Sequence, residues 1–470
     1  MNHDLACSTP ASVSIALPCS LFRRPALAAA SLALAGCASF SDDGGMDRVS
    51  ALAQERTGHA VTWQRETKNA ALAQARAGEL LAAPLSADGA VELALLRNRR
   101  LQAQLGNLGI SEAALVQAGR LRNPVLSLGR MAGGGALEIE RSVMFDLLGL
   151  LTLPARSQVA RARFEQAQYQ AASDAVVAAT EAREAFFEAI AAQQLAAYAQ
   201  QVQDAADASS ELARGMAQAG NLSRLDQMRE QAFRAAAAAD LARARQRAGD
   251  ARERLVRALG LGDEASSLQL PPHLPDLPLQ ALAIEDAERV ALDERLDILA
   301  ARRETEATAR ELGLTQASGF VDVLSAGWQD KRERGSPHER GGELQFDLPL
   351  FDFGGAARAQ AKARYLQSVD RTAAIAMDAR SQVREAASRY RTAYALARHY
   401  RDEVVPLHQR ISQENLLRYN GALIDVFQLL ADAREQVAGV TASVEAARDF
   451  WLADSRLQAA LAGASAPSDF

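Results

Sequence analysis

The chain has 470 residues and three cysteines, Cys7, Cys19 and Cys37. Cys7 and Cys19 lie within a leader-like N-terminal stretch and Cys37 directly follows it, so the body of the chain, with one cysteine, can build neither a disulfide nor a thiolate metal site. Aromatic residues make up 5% of the sequence. Alanine dominates the apolar fraction, which favours long helices over a large globular core. Beyond the leader no run of eighteen apolar residues occurs, which excludes a membrane-spanning helix there. The histidines His3, His59, His273, His338, His399 and His408 are scattered, none at an i, i+4 ligand spacing. The G-x-S-x-G, H-E-x-x-H and phosphate-loop patterns are absent, and the glycines of MAGGGAL precede a strand rather than a helix. No catalysis, cofactor or metal is expected. A net charge of −6 without a basic stripe excludes a nucleic-acid partner.

What is present begins with an address. Arg23 and Arg24 precede the apolar run PALAAASLALAGC, the order of charged then apolar residues in a bacterial secretory signal. Leu34-Ala35-Gly36-Cys37 resembles the lipobox of bacterial lipoproteins. That resemblance makes residues 1–36 a lipoprotein-type signal peptide and Cys37 the lipidation site. Ala38 stands where inner-membrane-retained lipoproteins more often carry Asp, which implies sorting to the outer membrane. An ordinary signal peptide with a chance cysteine fits the same residues. A lipidated end anchors a chain but does not make a pore.

The chain then contains itself twice. Phe145-Asp146-Leu147 recurs as Phe346-Asp347-Leu348, and Ala162-Arg163-Phe164 as Ala363-Arg364-Tyr365. Arg183-Glu184-Ala185 recurs as Arg384-Glu385-Ala386, and Gly220 with Leu222 as Gly421 with Leu423. Every pair is 201 positions apart, and four matches in one register indicate a duplicated unit. The first repeat is assigned to 85–260 and the second to 284–463. Residues 37–84 form an N-terminal segment, and 464–470 a tail expected to be disordered. The connector 261–283 carries Pro271, Pro272, Pro275 and Pro278, which forbid a continuous helix.

Each repeat has one plan. A helix opens it, capped by Ser86 or Asp88 in the first copy and covering about 283–315 in the second. A β-hairpin follows: VLSLGRMA and LEIERSVMFDL around Gly133-Gly134-Gly135, then GFVDVLSAGWQ and ELQFDLPLF around the charged loop DKRERGSPHERGG. A long helix runs from near Pro154 to about Ala219, or from Gly355 to about Arg418. The chain turns at Gly220-Asn221 or Asn420-Gly421, and a second helix returns to Leu259 or about Leu461. Leu344, Phe346, Leu348 and Leu350 alternate with Glu343, Gln345 and Asp347. Leu137, Ile139, Val143, Phe145 and Leu147 alternate with Glu138, Glu140, Ser142 and Asp146, with Arg141 an exception on the apolar face. Strands of this length suit a tilted membrane span and equally a soluble sheet with one wet face. Four strands cannot close a barrel, and an open edge cannot sit in lipid, so a spanning reading requires several chains to share one barrel.

The helix expected from Gly355 to Arg418 would be roughly 95 Å long at 1.5 Å per residue, so it must pack sideways along its length. Leu366, Val369, Ala373, Ala376, Val383, Ala387, Tyr390, Tyr394 and Ala397 recur in steps of three and four, broken by Arg380, which is the seam of a coiled coil. Pro406 is expected to bend or locally unwind the helix.

The duplicated order of helix, hairpin, long helix, glycine turn and helix resembles the TolC-type outer-membrane efflux factors. Local stretches agree: ALLRNRRLQAQ, ALVQAGRLRNPVLSL, ERLDILAAR, FDLPLFDFGGAARAQ and RYNGALIDVFQLLADARE. The resemblance spans about 85–465. It implies a mainly α fold with a small membrane β-barrel contribution, a homotrimer with a shared 12-stranded β-barrel in the outer membrane and a trimeric α-barrel across the periplasm. The implied role is a passive exit duct of a tripartite efflux or secretion system, partnered by a periplasmic adaptor, an inner-membrane pump and outer-membrane lipid. Asp425, with Asp432, Arg418 and Tyr419, is the candidate periplasmic gate, although one residue separates Tyr419 from Gly421 where many members have two. Asp146 and Asp347 are candidate lumen lining, and Phe320 and Trp328 candidate girdle aromatics. Ordinary surface or packing roles fit each of these side chains as well. The alternative is a periplasmic helical-hairpin adaptor or scaffold lipoprotein without a pore, although adaptors usually carry one such hairpin.

Overall fold

The computed structural model describes residues 39–463 except Glu66, Gly134, Gly135, residues 283–286, Ala422 and Asp425; the side chains of residues 68, 136, 287, 290, 426, 427 and 430–433 are also left out. Two helices, α1 (Met46–Thr57) and α2 (Thr67–Leu81), precede the first repeat. That repeat comprises α3 (Ala87–Arg97), α4 (Arg99–Ala118), β1 (Val125–Gly133), β2 (Ala136–Asp146), α5 (Leu147–Gln218) and α6 (Arg224–Leu259). After a 3-10 turn at Asp263–Ser267 the second repeat follows as α7 (Ala287–Glu294), α8 (Leu296–Ser318), β3 (Leu324–Glu333), β4 (Glu339–Phe346), α9 (Gly355–His399), α10 (Val405–Asn420) and α11 (Val426–Ala462). The halves correspond in order, with α9 and α10 together in the place of α5. The two hairpins join in one antiparallel sheet of order β1-β2-β3-β4.

Several boundaries differ from expectation. Each opening helix is broken, at Asn98 and at Arg295. Asn98 takes an extended conformation, and its Oδ1 accepts from the amides of Arg100 (2.9 Å) and Leu101 (3.2 Å), restarting the helix as α4. Its Nδ2 donates to the carbonyl of Ala258 near the end of α6 (2.9 Å). Arg295, 1% exposed, sends Nη1 to the carbonyl of Ala460 near the end of α11 (2.7 Å) and Nη2 to Gln382 (2.8 Å). So one polar side chain per repeat ties the break to the returning long helix, and buried polar groups of this kind need those partners. Both returning helices end on a left-handed glycine, Gly260 (φ 68°) and Gly463 (φ 79°). A Cβ on Gly260 would lie 2.5 Å from the carbonyl oxygen of Arg97, and one on Gly463 2.8 Å from the amide of Leu296. Only glycine meets both the dihedral and the contact.

Pro154 does not open the first long helix. The helix starts at Leu147 with Asp146 as its N-cap, so Pro154 sits inside it and removes its amide bond to Leu150. The second hairpin is displaced: residues 319–323 precede β3, and β3 and β4 extend into the expected charged loop, while β4 ends at Phe346. A π-helical turn, Tyr400–Val404, separates α9 from α10, with Val405 N–H donating to the carbonyl of Tyr400. It lies directly before Pro406, where a residue without an amide hydrogen disturbs the normal ladder.

The core lies midway along the long helices. Val49 and Ala53 of α1, Leu101, Leu105 and Leu108 of α4, and Ala172, Ala175 and Val176 of α5 form one cluster with Leu296. Leu93, Phe186, Ile190, Leu255 and Leu259 form a second. Where the repeats meet, rings pack across α5, α9 and α11: Phe187 stacks on Trp451 (5.1 Å), Trp451 meets Phe450 edge-to-face (5.0 Å), and Phe450 lies tilted against Tyr390 and Tyr394 (5.6 Å each). The connector is stitched onto these rings. Trp451 Nε1 donates to the carbonyl of Pro275 (3.1 Å) and the Tyr394 hydroxyl to that of Pro278 (3.1 Å). A proline-rich strap has carbonyls to offer and few amides, and the rings supply donors. At 72 residues, α5 is roughly 108 Å long and its ends outrun this core. The chain exposes 29018 Å², against roughly 17,000 Å² for a compact monomer of its mass.

Candidate channel-forming surfaces

The sheet buries almost nothing. Every described residue of β1 and β4 is exposed, and each of these strands has one open edge. Cross-strand partners share a face, so the register sorts the side chains. Leu126, Val143 and Trp328 lie in one row with Gly342; Phe145, Ala326 and Leu344 in the next; Leu324 and Phe346 in a third. This is an apolar face, with Leu126 63%, Trp328 47%, Leu344 61% and Phe346 54% exposed. It continues past the strand ends through exposed Leu348, Leu350, Phe351 and Phe353. Phe320, a candidate girdle aromatic, is exposed in the turn before β3 rather than in the strand.

The other face is acidic. Glu138, Glu140, Glu333, Glu339 and Glu343 all point to it, with Lys331 as its lone basic side chain among the described strand residues. Lys331 Nζ pairs with Glu138 (2.7 Å), and Gln329 donates to Glu140. Asp146 and Asp347 share this parity. Asp146 also serves the helix that follows it. Its Oδ1 accepts from the Gly149 amide (2.7 Å), and Oδ2 lies 3.4 Å from Arg122 Nη1. It caps α5 at the N-terminus, where a carboxylate also meets the helix dipole favourably. Asp347 caps nothing. It lies just beyond β4, its backbone amide donating to Val323 (3.2 Å). From there an irregular segment leads to Gly354 (φ 72°), which starts α9. A Cβ there would collide with the carbonyl oxygen of Gly319 at the end of α8, so only glycine allows this close approach.

At the far ends of the hairpins, Arg418 and Tyr419 are the gate candidates whose side chains are described. Arg418 pairs with Glu414 on its own helix (3.1 Å), and Tyr419 is 39% exposed. Asp425 and Cys37 lie outside the described residues, as does the side chain of Asp432. A link the sequence did not reveal lies nearby. Glu230 of α6, 3% exposed, accepts from Ser209 Oγ of α5 (2.7 Å) and from Arg434 Nη2 of α11 (2.8 Å). The Arg434 guanidinium also stacks on Phe233, 4.2 Å from the ring centre. Nearer the sheet, Arg163 and Arg364, equivalent in the two repeats, both reach Glu311 of α8 (2.5 and 3.6 Å) across a groove of about 590 Å³. Among the described residues no helix is long and apolar enough to cross a membrane, and no three His, Cys, Asp or Glu side chains converge as metal ligands.

A sheet hung from two antiparallel helical hairpins, apolar on one face and polar on the other, defines the class of fold found in outer-membrane channels. The chain superposes on a membrane protein from Pseudomonas aeruginosa with a TM-score of 0.69 at 19% identity, covering 79% of this chain and 92% of that one. On the outer membrane protein VceC from Vibrio cholerae the TM-score is 0.67 at 18% identity, covering 80% and 96%. On the open state of the MtrE outer membrane channel from Neisseria gonorrhoeae it is 0.63 at 17% identity, covering 80% and 88%. No protein-family model matches the sequence, and no curated protein matches it. The chain thus has the mainly helical fold of these outer-membrane channels, with a small antiparallel sheet, as the resemblance to TolC-type efflux factors implies. The similar structures are described as membrane proteins and outer-membrane channels rather than enzymes.

Proposed function

We propose that the chain is the outer-membrane exit duct of a tripartite efflux or secretion system and conducts small molecules or ions passively. The observation that carries this reading is the sheet: two open edges on exposed strands, with an apolar face and a polar face uncovered by any other described element of the single chain. A four-stranded sheet in this state has unpaired backbone and uncovered apolar side chains. Copies of the same chain supply the missing edges. Two copies give eight strands, a barrel whose interior side chains fill; three give twelve and leave a lumen. In the homotrimer the apolar face meets lipid, and the acidic face, with Asp146 and Asp347 near its helical end, lines the duct.

In this reading the long hairpins extend through the periplasm and offer their tips to an adaptor and, through it, to an inner-membrane pump. Asp425 and Asp432, with Arg418 and Tyr419, form the gate at that end, where carboxylates favour cations. Cys37 carries the lipid anchor in the outer membrane. The test is reconstitution of the purified protein in planar bilayers, with crosslinking in detergent. A conducting trimer is expected, and a monomer without conductance would sink the reading. Asp425→Asn is expected to lower cation selectivity, and Cys37→Ser to abolish lipid labelling.

A further inference from the structure

One feature of the sheet is unused by a simple lipid-facing surface. All four strand arginines, Arg130, Arg141, Arg332 and Arg340, lie on the apolar face, and all five strand glutamates on the opposite one. The arginines are confined to the half of the face nearest the hairpin turns. Above the apolar rows the next row reads Leu128, Arg141, Asp330, Arg340, and the one beyond it brings Arg130, Ile139 and Arg332. Asp330, with its side chain 5% exposed, lies between two of these arginines. Arg340 Nε lies 3.5 Å from its Oδ1, Arg332 Nε lies 3.8 Å from its Oδ2, and His338 contacts it directly. Arg332 and Arg340 remain 53% and 60% exposed.

We propose that this distal half of the apolar face binds the phosphate groups of an anionic lipid in the outer leaflet. The proposal rests on the barrel reading above. Four guanidinium groups against a single carboxylate leave positive charge and spare donors on a face where an isolated arginine at the bilayer midplane costs about 2–4 kcal/mol. At headgroup depth that cost falls away, and a planar guanidinium donates two parallel hydrogen bonds to a phosphate. The apolar rows beneath give the matching surface for acyl chains: rows are about 7 Å apart, so a lipid lying along Leu126, Val143, Trp328 and Phe145 reaches the arginine row with its headgroup. Asp330 is a positioning residue; it orients Arg332 and Arg340 without neutralising the group. The glutamate face cannot take the same ligand, which makes the sorting by sign informative.

The test uses the full-length purified protein and three probes: diphosphorylated lipid A, dephosphorylated lipid A and free inorganic pyrophosphate, with binding read by native mass spectrometry and by thermal stabilisation. Lipid A is expected to bind and the dephosphorylated form to bind much more weakly, with pyrophosphate unable to compete at equal concentration. Arg141→Gln/Arg332→Gln/Arg340→Gln should weaken lipid A binding roughly hundredfold. Glu138→Gln/Glu140→Gln/Glu343→Gln should leave it unchanged. Equal binding of the two lipids overturns the proposal. So does full competition by pyrophosphate, which would indicate a free-phosphate site. If the arginine variant does not assemble, the wild-type comparison of the two lipids decides. Conductance is recorded on the same preparation: a conducting protein without phosphate-dependent lipid binding loses only this site. Phosphate-dependent binding by a protein that never conducts overturns the pore reading and leaves the site standing.

Discussion

Replacing Arg434 by alanine tests the link between the hairpins. Glu230 is 3% exposed and its carboxylate has two partners, Ser209 Oγ at 2.7 Å and Arg434 Nη2 at 2.8 Å. Removing one partner of a buried ion pair strands the other charge and costs about 3–5 kcal/mol. The Arg434 side chain is 37% exposed, so water can reach the vacated side and screen what is left. That lowers the expectation to about 2 kcal/mol, including the lost stacking on Phe233. Such a loss is local, because the first turns of α6 and of α11 lie beyond the main core. Amide hydrogen exchange in peptides around Glu230 and Arg434 should therefore quicken by about 30-fold, while peptides around Leu101 and Phe186 stay protected. In the Glu230→Gln background the same replacement should have little further effect, since no buried charge is left to strand. Equal effects of Arg434→Ala in the two backgrounds, or exchange at the wild-type rate, would refute the reasoning.

Three further outcomes follow from other contacts. Asp146→Ala should destabilise the start of α5 by about 1 kcal/mol, seen as faster exchange over residues 147–152, whereas Asp146→Asn keeps an oxygen acceptor for Gly149 and should lose much less. Gly260→Ala and Gly463→Ala should each lower the melting temperature by several degrees, since the new Cβ must sit at positive φ against backbone of the preceding helix break; Gly78→Ala, with open space around it, serves as control. For pH, the hydrogen bond and charge of Arg76 hold the Glu92 carboxylate below its usual 4.5, against an opposing effect of burial. A depressed carboxylate contributes stability above its unfolded pKa and loses it as pH falls through the folded one, so α2 should loosen from α3 below about pH 4.5. Asp174 and Asp454 have the reverse sign. Burial raises both, so acidification should not loosen α5 and α11 at those positions.

The duplication was legible because it needs only matched residues in one register, and the connector because proline acts locally. The breaks at Asn98 and Arg295 were not. Each is held by a carbonyl about 160 positions away, at Ala258 and Ala460, and nothing in the local apolar period marks such a partner. The second hairpin was displaced for a different reason. In β4 the sequence ERGGELQF offers apolar side chains only at Leu344 and Phe346, so over Glu339–Glu343 both faces are polar or bare and an alternating pattern has no amplitude. The stretch therefore reads as loop. Arg141 was visible as an exception, but its meaning depends on Asp330 and Arg340 beside it in the row, and pairing between repeats cannot be read from one strand. The Glu230–Arg434 link fails the same way, since it joins helices of different repeats.

The two strand-to-helix junctions bear on how far the repeats have diverged. Asp146 and Asp347 are equivalent positions, yet only Asp146 is an N-cap. After Asp146 the chain reads Leu147-Leu148-Gly149, and the amide of Gly149 closes the cap. After Asp347 it reads Leu348-Pro349-Leu350. Proline disfavours the helical conformation at Leu348, the Leu350 amide bonds back to the Leu348 carbonyl (2.8 Å), and the helix waits until Gly354. The first junction is thus a rigid strand-to-helix corner and the second an extended segment carrying Phe351 and Phe353, which are 99% and 63% exposed. In the proposed ring of three copies the two kinds of junction would alternate six times around the base of the barrel. The exposed phenylalanines then recur once per copy, always beside a capped corner. A surface of that kind has aromatic side chains where the apolar face meets water, the depth at which such rings are most stable, and it places them on the extended junction rather than the capped one.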